Sequence, residues 1–436
     1  MSLIEDFKKD SLVFEASNIK ILFPRKGGYT SVPLSLEGDR VRYHPPDGKD
    51  FKYLFRWWFR TALSRLYNGQ KTYKELEKDS LMKNLMGTTE KQSAISIDIQ
   101  YDNKQLSDIE NYYTRLYQQI RKSLDVRNIK NDLKGLINAM NPRSKLRIRF
   151  VGSEITFQLD RTGKKLSYKI HILIQRGMLI DVSNLPRIIL MSRFSKGYHE
   201  LSTDEKSIDL LVDEVILRYL SLYYIPRELV IKSFKVYLNH QLGSNYREVL
   251  KDLIKLSLIL GSVGSISNRG FGSIIYKPDN WDTITTDRIS RLIKDLLMKV
   301  MGGNYSGSLN VNRAVPKVPT LDVPAASSEK DSAFYIYISE RNYHMNDALK
   351  RIQGAYMINM NRYLPRNIYS RLVLGSPRRN MKERRMSSIA SKIIYNYGSG
   401  STNVLTYGFI SLDIPRGNIG VIRKFKDCFE AVINYL

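Results

Sequence analysis

Apolar residues along the chain fall into short alternating runs and longer stretches with three- and four-residue steps, the pattern of mixed strands and helices. Residues 12–22, LVFEASNIKIL, predict a strand that stops at the breakers Pro24, Gly27 and Gly28. After a polar loop through His44 and Gly48, the residues Phe51, Phe55, Trp58, Ala62 and Leu66 recur on one helical face. Lys52, Arg56 and Arg60 recur at i, i+4 on another, with Asp47 or Gly48 placed to cap the helix. Strands are predicted at 94–99, 146–151 and 166–175, and a largely helical, charged region at 104–140. Ser202 and Glu205 have the spacing of a capping box for a helix running to Tyr224. Pro226 suits the first position of a second helix, and apolar periodicity resumes over 246–260.

The later part of the chain changes texture. Residues 301–330 shift to Gly, Ser, Asn, Pro and Ala, a linker or long loop. Strands are predicted at 333–339, at 389–395 and within 404–414, helices at 345–357 and at the end of the sequence, where Cys428 sits as a core thiol. Two loop-into-strand passages are weakly alike: Leu85-Met86-Gly87-Thr88 before Ser93-Ala94-Ile95, and Val373-Leu374-Gly375-Ser376 before Ser387-Ser388-Ile389. Two related modules in one chain of 436 residues fit a prior of two to three domains.

Charge narrows the function classes. The chain has 69 Lys and Arg against 43 Asp and Glu, a formal net charge of +26, and a compact state that positive repels itself unless a polyanion is the normal partner. Nucleic acid and an anionic membrane surface both qualify. One cysteine and five scattered histidines exclude a disulfide framework and an ordinary zinc site. The opening residues lack an apolar h-region and the most apolar stretches are far short of the roughly 18 residues needed to span a bilayer, which together predict a soluble, reduced, cytoplasmic protein. With 28 Tyr, 15 Phe and 3 Trp, rings are abundant enough both for core packing and for stacking on unpaired bases.

Three segments concentrate the candidate chemistry. Residues 51–66 carry the basic stripe with no acid to neutralise it. Residues 261–272, GSVGSISNRGFG, hold four glycines, so the backbone can approach a ligand closely and turn several N–H groups outward around Arg269. This loop is neither a Walker loop, lacking Gly-Lys-Ser/Thr, nor a dinucleotide fingerprint, and a plain glycine-rich hairpin is the bland alternative. Residues 378–385 hold five cations and one acid. Glu205, Asp209 and Asp213 align at i, i+4, a row that reads as a solvent-facing stripe in the absence of convergent ligands.

The helix FKYLFRWWFR, the loop LMGTTEKQSAISI, the glycine loop GSVGSISNRGFGS and the loop LGSPRRNMKERRMSSI together resemble the RAMP proteins of CRISPR systems, and among them the first subunit of the type III-B Cmr effector, which carries two RAMP modules. The resemblance spans positions 51–388, with Tyr53 where the family usually has Gly and with Ile266 and Asn268 where it usually has further basic residues. It implies an α+β protein of two ferredoxin-like, RRM-like βαββαβ modules: an N-terminal one over 1–300 enlarged by a helical insertion at about 104–250, and a C-terminal one over 301–436. It also implies a place at the head of a ribonucleoprotein, near the 3′ part of the crRNA and the 5′ part of the bound target RNA, among other Cmr subunits. No catalytic residue, metal or cofactor is implied.

The expected RNA contacts are Lys52, Arg56 and Arg60, Lys91 of the first loop, Gly264, Asn268, Arg269 and Gly270 of the glycine loop, and Arg378, Arg379, Arg384 and Arg385. These would position phosphates while guide–target pairing reads sequence. The competing classes are a metal-free endoribonuclease using His44, a subunit cutting target RNA with Asp39 or Asp47 and a divalent ion, and a membrane-binding protein. The last needs a broad exposed apolar helix face, which the two tryptophans of the basic helix do not offer if they are buried in a core.

Overall fold

The computed structural model describes residues 11–24, 32–66, 73–88, 93–173, 177–238, 244–264, 267, 269–279, 281–300, 312–315, 318–321, 334–363, 389–409 and 419–436. Along the chain come β1 (Ser11–Phe14), β2 (Ile19–Leu22), β3 (Leu34–Glu37), β4 (Arg40–Tyr43), α1 (Gly48–Leu66), α2 (Tyr73–Glu77), α3 (Ser80–Met86) and β5 (Ile95–Tyr101). There follow α4 (Asn103–Ser123), α5 (Val126–Asn138), β6 (Lys145–Val151), β7 (Glu154–Leu159), β8 (Lys165–Lys169), β9 (Leu179–Asp181), α6 (Pro186–Met191), β10 (Arg193–Gly197) and α7 (Glu205–Tyr223). The rest is β11 (Tyr224–Pro226), β12 (Glu228–Leu238), α8 (Ser244–Leu260), β13 (Ile274–Tyr276), α9 (Thr286–Val300), β14 (Asn312–Val315), β15 (Val318–Leu321), β16 (Phe334–Ile338), α10 (Met345–Tyr363), β17 (Ile389–Asn396), β18 (Ser401–Phe409) and α11 (Ile419–Tyr435). The protein is α+β.

Two compact units divide the chain: Met1–Leu22, Pro46–Tyr101 and Val230–Leu436 form one, Phe23–Pro45 and Asp102–Leu229 the other. In the first unit, β12 pairs antiparallel with β5 and with β1, and the sheet continues through β2 to β13. The strand expected over 12–22 is thus broken into two pieces by a 3-10 turn at Ala16–Asn18. Helix α1 packs on this sheet through aromatic edges, the rings of Phe51 and Phe55 lying 5.3 and 6.1 Å from Phe234 of β12. Phe14 of β1 adds a third edge contact to Phe234 at 5.7 Å. The second sheet of this unit runs β14-β15-β16-β18-β17, antiparallel at every pair, with α10 and α11 packed together.

The other unit holds a four-stranded sheet, β10-β6-β7-β8, whose apolar face meets α7. Phe150 of β6 lies 5.5 Å from the ring of Tyr219, and the cation of Arg218 sits 4.4 Å from the ring of Phe194. Helices α4 and α5 complete its core with Tyr113, Tyr117, Ile129 and Leu133, all buried. Its hairpin β3–β4 is held to α4: Thr114 Oγ1 accepts from the Val41 N–H at 3.0 Å and Glu110 from the Tyr43 N–H at 3.1 Å.

Several elements differ from the sequence reading for identifiable reasons. No helix follows Pro226; residues 228–238 form the long strand β12 instead. Its burial alternates on odd positions at Leu229 and Ile231 and on even positions at Phe234, Val236 and Leu238, because a bulge between Ile231 and Ser233 shifts the phase. A phase change in a period-two pattern mimics the three-residue step of a helix. The helix ending at Tyr223 is capped by Asp204, whose carboxylate accepts from the Ser207 N–H at 2.8 Å, not by Ser202, which donates its hydroxyl to Asp204. Strands β14 and β15 occupy part of the stretch read as a linker. The second unit, Phe23–Pro45 with Asp102–Leu229, carries the sheet β10-β6-β7-β8 beside its helices, and α8 belongs to the first unit.

Candidate nucleic-acid interface

The basic helix begins where expected. Asp47 Oδ1 accepts from the N–H groups of Lys49 at 3.0 Å and Asp50 at 3.4 Å, while Asp50 returns an acceptor to the Asp47 N–H at 3.0 Å, a reciprocal cap. Gly48 is required there, since a Cβ would stand 2.6 Å from the Ile97 carbonyl oxygen. Asp47 is therefore a helix cap.

Residues 51–66 contain no acid, yet the stripe is not uncompensated. Glu77, the last residue of α2, accepts from Arg56 Nε at 2.8 Å and from Arg60 Nη1 at 2.6 Å, with a further short contact from Arg56 Nη2. Burial works to raise the Glu77 carboxyl, but the hydrogen bonds and charges of the two guanidinium groups together hold it below its ordinary value. Arg56 also reaches the end of α3: its Nη1 donates to the carbonyl oxygens of Gly87 at 2.8 Å and Met86 at 3.3 Å. A guanidinium there satisfies carbonyls the helix leaves open, and Gly87 takes the positive φ of 75° that turns the chain away. Two of the passages that carry the family resemblance thus meet through Arg56.

Lys52 stands one turn before Arg56. Burial, and then the charge of Arg56, push its ammonium down from the ordinary lysine value. Trp58 is buried, with its ring 5.6 Å from Tyr407 of β18, while Trp57 is only half-buried and Tyr53 is 60% exposed. The described part of this helix presents Lys49 and Tyr53 to solvent around the partly covered Lys52 and Arg56.

The glycine loop closes as a narrow hairpin. Ser262 and Ser273 pair antiparallel, and the Val263 N–H donates to the Gly272 carbonyl at 2.9 Å. Gly272 has φ of +63° and its missing Cβ would lie 1.7 Å from the Val263 carbonyl oxygen, so no other residue fits. Leu54 of α1 fills the space a Cβ on Gly261 would need, at 2.7 Å, which brings the basic helix and the loop together. Gly264 and Ser267 lie partly exposed near the turn, and Gly270 is buried against Ile352 and Leu349 of α10.

From the base of this hairpin the loop is gripped by the C-terminal sheet. Arg269 is 8% exposed; its guanidinium lies over the ring of Tyr356, 3.4 Å from the centroid, and Nη1 donates to the Ile389 carbonyl at 3.1 Å. Gln353 Nε2 donates to the Arg269 carbonyl at 2.7 Å, and Arg269 forms a parallel bridge with Ser391. The Ile393 N–H donates to Ser273 Oγ at 3.0 Å. Lys392, fully buried on β17, points its ammonium at the carbonyl oxygens of Ile274 at 2.7 Å, Gly261 at 2.9 Å and Leu258 at 3.1 Å. The last two are at the C-terminus of α8, where open carbonyls and the helix dipole favour a cation. Burial drives this amine well below the ordinary value, against three acceptors that match the three donors of the charged form. Lys392 was not singled out from sequence, since a lysine inside the run IASKIIYN reads as an outward strand position.

Of the other expected contacts, Lys91, Asn268, Arg378, Arg379, Arg384 and Arg385 lie outside the described residues. His44 is exposed with its Nε2 2.8 Å from Ser35 Oγ, and Asp39 is exposed in the β3–β4 turn. The carboxylate row is occupied by cations and a phenol: Asp209 pairs with Lys130 at 2.5 Å, and Asp213 accepts from the Tyr117 hydroxyl at 2.6 Å with Arg121 3.6 Å away. Among the described residues no group of three or more His, Cys, Asp or Glu side chains is arranged to hold a metal ion, and no helix is long and apolar enough to cross a membrane.

A helix of cations, a loop that must be glycine and a second sheet locked onto that loop form the framework on which family membership can be judged. The RAMP superfamily model matches residues 52–275, just over half of the chain and the span of all these elements up to β13. The chain belongs to the RAMP superfamily. Its fold is similar to that of a chain in the cryo-EM structure of Type III-B Cmr-beta bound to cognate target RNA and AMPPnP, state 2, in the presence of ssDNA, with a TM-score of 0.55 and 15% identity over 97% of this chain and 99% of that one. A second cryo-EM structure, Type III-B Cmr-beta bound to cognate target RNA, gives a TM-score of 0.52 and 14% identity over the same shares. The apo crystal structure of Cmr1 from Pyrococcus furiosus is similar at a TM-score of 0.38 and 12% identity over 98% of this chain and 96% of that one. No curated protein matches the chain.

Proposed function

We propose that this chain is a non-catalytic RNA-binding subunit of a type III-B CRISPR Cmr ribonucleoprotein effector. It sits at the head of the complex near the 3′ part of the crRNA and the 5′ part of the target RNA, beside other Cmr subunits, and supports target capture in antiviral defence. The observation that carries this reading is end-to-end likeness of fold, 97% of this chain against 99% of the other, to a chain of a Cmr-beta structure bound to cognate target RNA. A net charge of +26 supports it, because an assembly around RNA supplies the anion that such a chain needs.

The same reading makes the first unit two ferredoxin-like modules. Strand, helix, two strands, helix and strand follow each other as β1/β2, α1, β5, β12, α8 and β13, and the sheet order β13-β2/β1-β12-β5 is the order 4-1-3-2 of that plan. The second module repeats it as β16, α10, β17, β18 and α11, with β15 in the fourth position. On this plan Lys52, the exposed side of Arg56 and the tip of the glycine loop around Gly264 meet phosphates, and Arg269 and Lys392 hold the loop in place.

Anisotropy of a labelled single-stranded RNA across a salt series tests the proposal. About six phosphate contacts give a log–log slope of about 4. A slope near zero would refute RNA binding, and cleavage of the RNA that is lost in His44→Ala or Asp39→Ala would refute the non-catalytic role.

A further inference from the structure

The sheet β10-β6-β7-β8 has one face in a core and one in solvent, and the solvent face is cationic. Along β6, Leu146, Ile148 and Phe150 are buried, while Lys145, Arg147, Arg149 and Val151 take the alternate, exposed positions. Register carries the pattern across the strands. Arg193 of β10 lies directly opposite Arg149, and Ser195 opposite Arg147. Thr156 and Gln158 of β7 continue those rows, and Ser167 and Lys165 of β8 end them. Lys169 lies opposite Glu154. Arg147 is 3.8 Å from Asp160 at the end of β7. Glu154, the acid within the face, is engaged locally, accepting from the Thr156 hydroxyl at 3.2 Å.

Like charges directly opposite on neighbouring strands destabilise a sheet. Arg193 facing Arg149 is such a pair, and among the described residues no carboxylate forms an ion pair with either. An anion laid across the face removes that repulsion. Its chemistry is set by the other groups present. Protein interfaces are built on an apolar, aromatic-rich core and are depleted in lysine, whereas this face exposes long cations, two serines and a glutamine around the buried Thr156, and Val151 is its large exposed apolar side chain. Those are the side chains that contact phosphates. Alternate residues of β6 stand about 6.8 Å apart and neighbouring strands about 4.8 Å apart, a grid of donors suited to repeated anionic groups rather than to one. The exposed rows include no ring for a base to stack on, which leaves the backbone as the part recognised.

We propose that the outer face of β10-β6-β7-β8 binds the phosphate backbone of RNA. Its affinity for a repeating anion is argued from the face alone; the choice of RNA rests on the function proposed above.

The test compares full-length proteins binding a fluorescein-labelled mixed-sequence RNA by anisotropy across a salt series. The face variant is R147Q/R149Q/R193Q; the control, K104Q/R127Q/K134Q, removes the same charge from exposed positions on α4 and α5. Loss of three contacts is expected to lower the slope by about 2 and the affinity on the order of 100-fold at about 0.1 M salt, with the control close to wild type. R147K/R149K/R193K, which keeps the charge, is expected to restore most of the affinity. The face variant should unfold at or above the wild-type temperature without RNA, because the repulsion is gone. Equal binding by face and control variants would overturn the inference and leave the RNA-binding function standing, as would happen if the face met an acidic protein. Failure of the lysine variant to restore binding would also overturn it. Wild-type protein that shows no salt-dependent RNA binding would remove both.

Discussion

Arg269→Ala is expected to unfold the protein at a lower temperature without reducing its salt-dependent grip on RNA. The backbone contacts of residue 269, the hydrogen bond from Gln353 and the bridge to Ser391, survive the substitution. What disappears is a buried charged donor to the Ile389 carbonyl and a cation laid on the Tyr356 ring. The hydrogen bond contributes about 1.5–3 kcal/mol and a desolvated cation–π contact about 2 kcal/mol, so about 4 kcal/mol is lost. A unit of roughly 300 residues has an unfolding entropy of about 0.6 kcal/mol per kelvin, which converts this to about 6–7 °C in Tm. Arg269→Lys keeps the charge but neither the planar stack nor the fork, and should recover less than half of the loss. Scanning calorimetry reads the first quantity and a parallel salt titration with RNA the second. An unchanged Tm together with a slope lower by about 0.7, the value of one single-strand phosphate contact, would refute the clamp and make Arg269 a phosphate ligand.

Lys392→Met should cost about 3 kcal/mol, because three buried carbonyl oxygens lose a common donor even as the cost of burying an amine disappears. Lys392→Ala should cost a further 1–2 kcal/mol or so for the cavity; urea midpoints equal to wild type for the methionine variant would mean the carbonyls find other partners. Glu77 ties stability to pH. Its carboxyl is depressed in the folded state, so the unfolded chain takes up the proton first; the stabilisation is complete above the ordinary glutamate range and is lost as pH falls through the lower folded value. Glu77→Gln should therefore lower the urea midpoint at neutral pH and flatten its decline between about pH 5 and pH 3, and an identical acid limb in both proteins would count against the Arg56–Glu77–Arg60 network.

The sequence made the basic helix visible because its two periodicities are local: apolar residues at three- and four-residue steps, cations at four. It could not show what neutralises the cations. Glu77 is 17 residues beyond Arg60, and a stripe without acids on its own helix looks unpaired until α2 folds back beside it. The glycine loop was visible as a feature and its hairpin form was one of two readings, but the reason for Gly261 and Gly270 was not, since Leu54 and the residues of α10 that crowd them stand far away in the chain, and Val263 meets Gly272 only once the hairpin closes. Arg269 has the composition of a phosphate contact and the position of a clamp; only the distance to Tyr356, 87 positions away in the chain, separates the two. The cationic sheet face was legible in principle. KLRIRFV alternates strictly, but a charge on every second residue of a strand reads as ordinary solvation until β10 sets Arg193 opposite Arg149.

The two proposed modules differ in ways that follow from one shared plan. Between its second and third strands the C-terminal module has the turn 397–400, whereas the N-terminal module has Asp102–Leu229 at the same point. A long insertion is tolerated at a hairpin end because closing a longer loop adds little entropic cost once the inserted chain folds on a core of its own, and here Phe150, Tyr219 and their neighbours supply one. In the C-terminal module the edge of β16 remote from β18 is the place of a fourth strand. That edge is taken by β15, from the segment that joins the modules, which registers Thr320 against Tyr335 and Leu321 against Phe334. An unpaired edge is a site for pairing with other chains, and the joining segment covers that of β16 and moves the sheet edge out to β14. At the opposite edge of the same sheet, β17 receives the base of the glycine loop through Arg269, Ser273 and the three carbonyls on Lys392. β16 and β17 therefore both receive residues that precede them in the chain, β15 on one side and the base of the glycine loop on the other, so the C-terminal module depends on the rest of its unit for completeness.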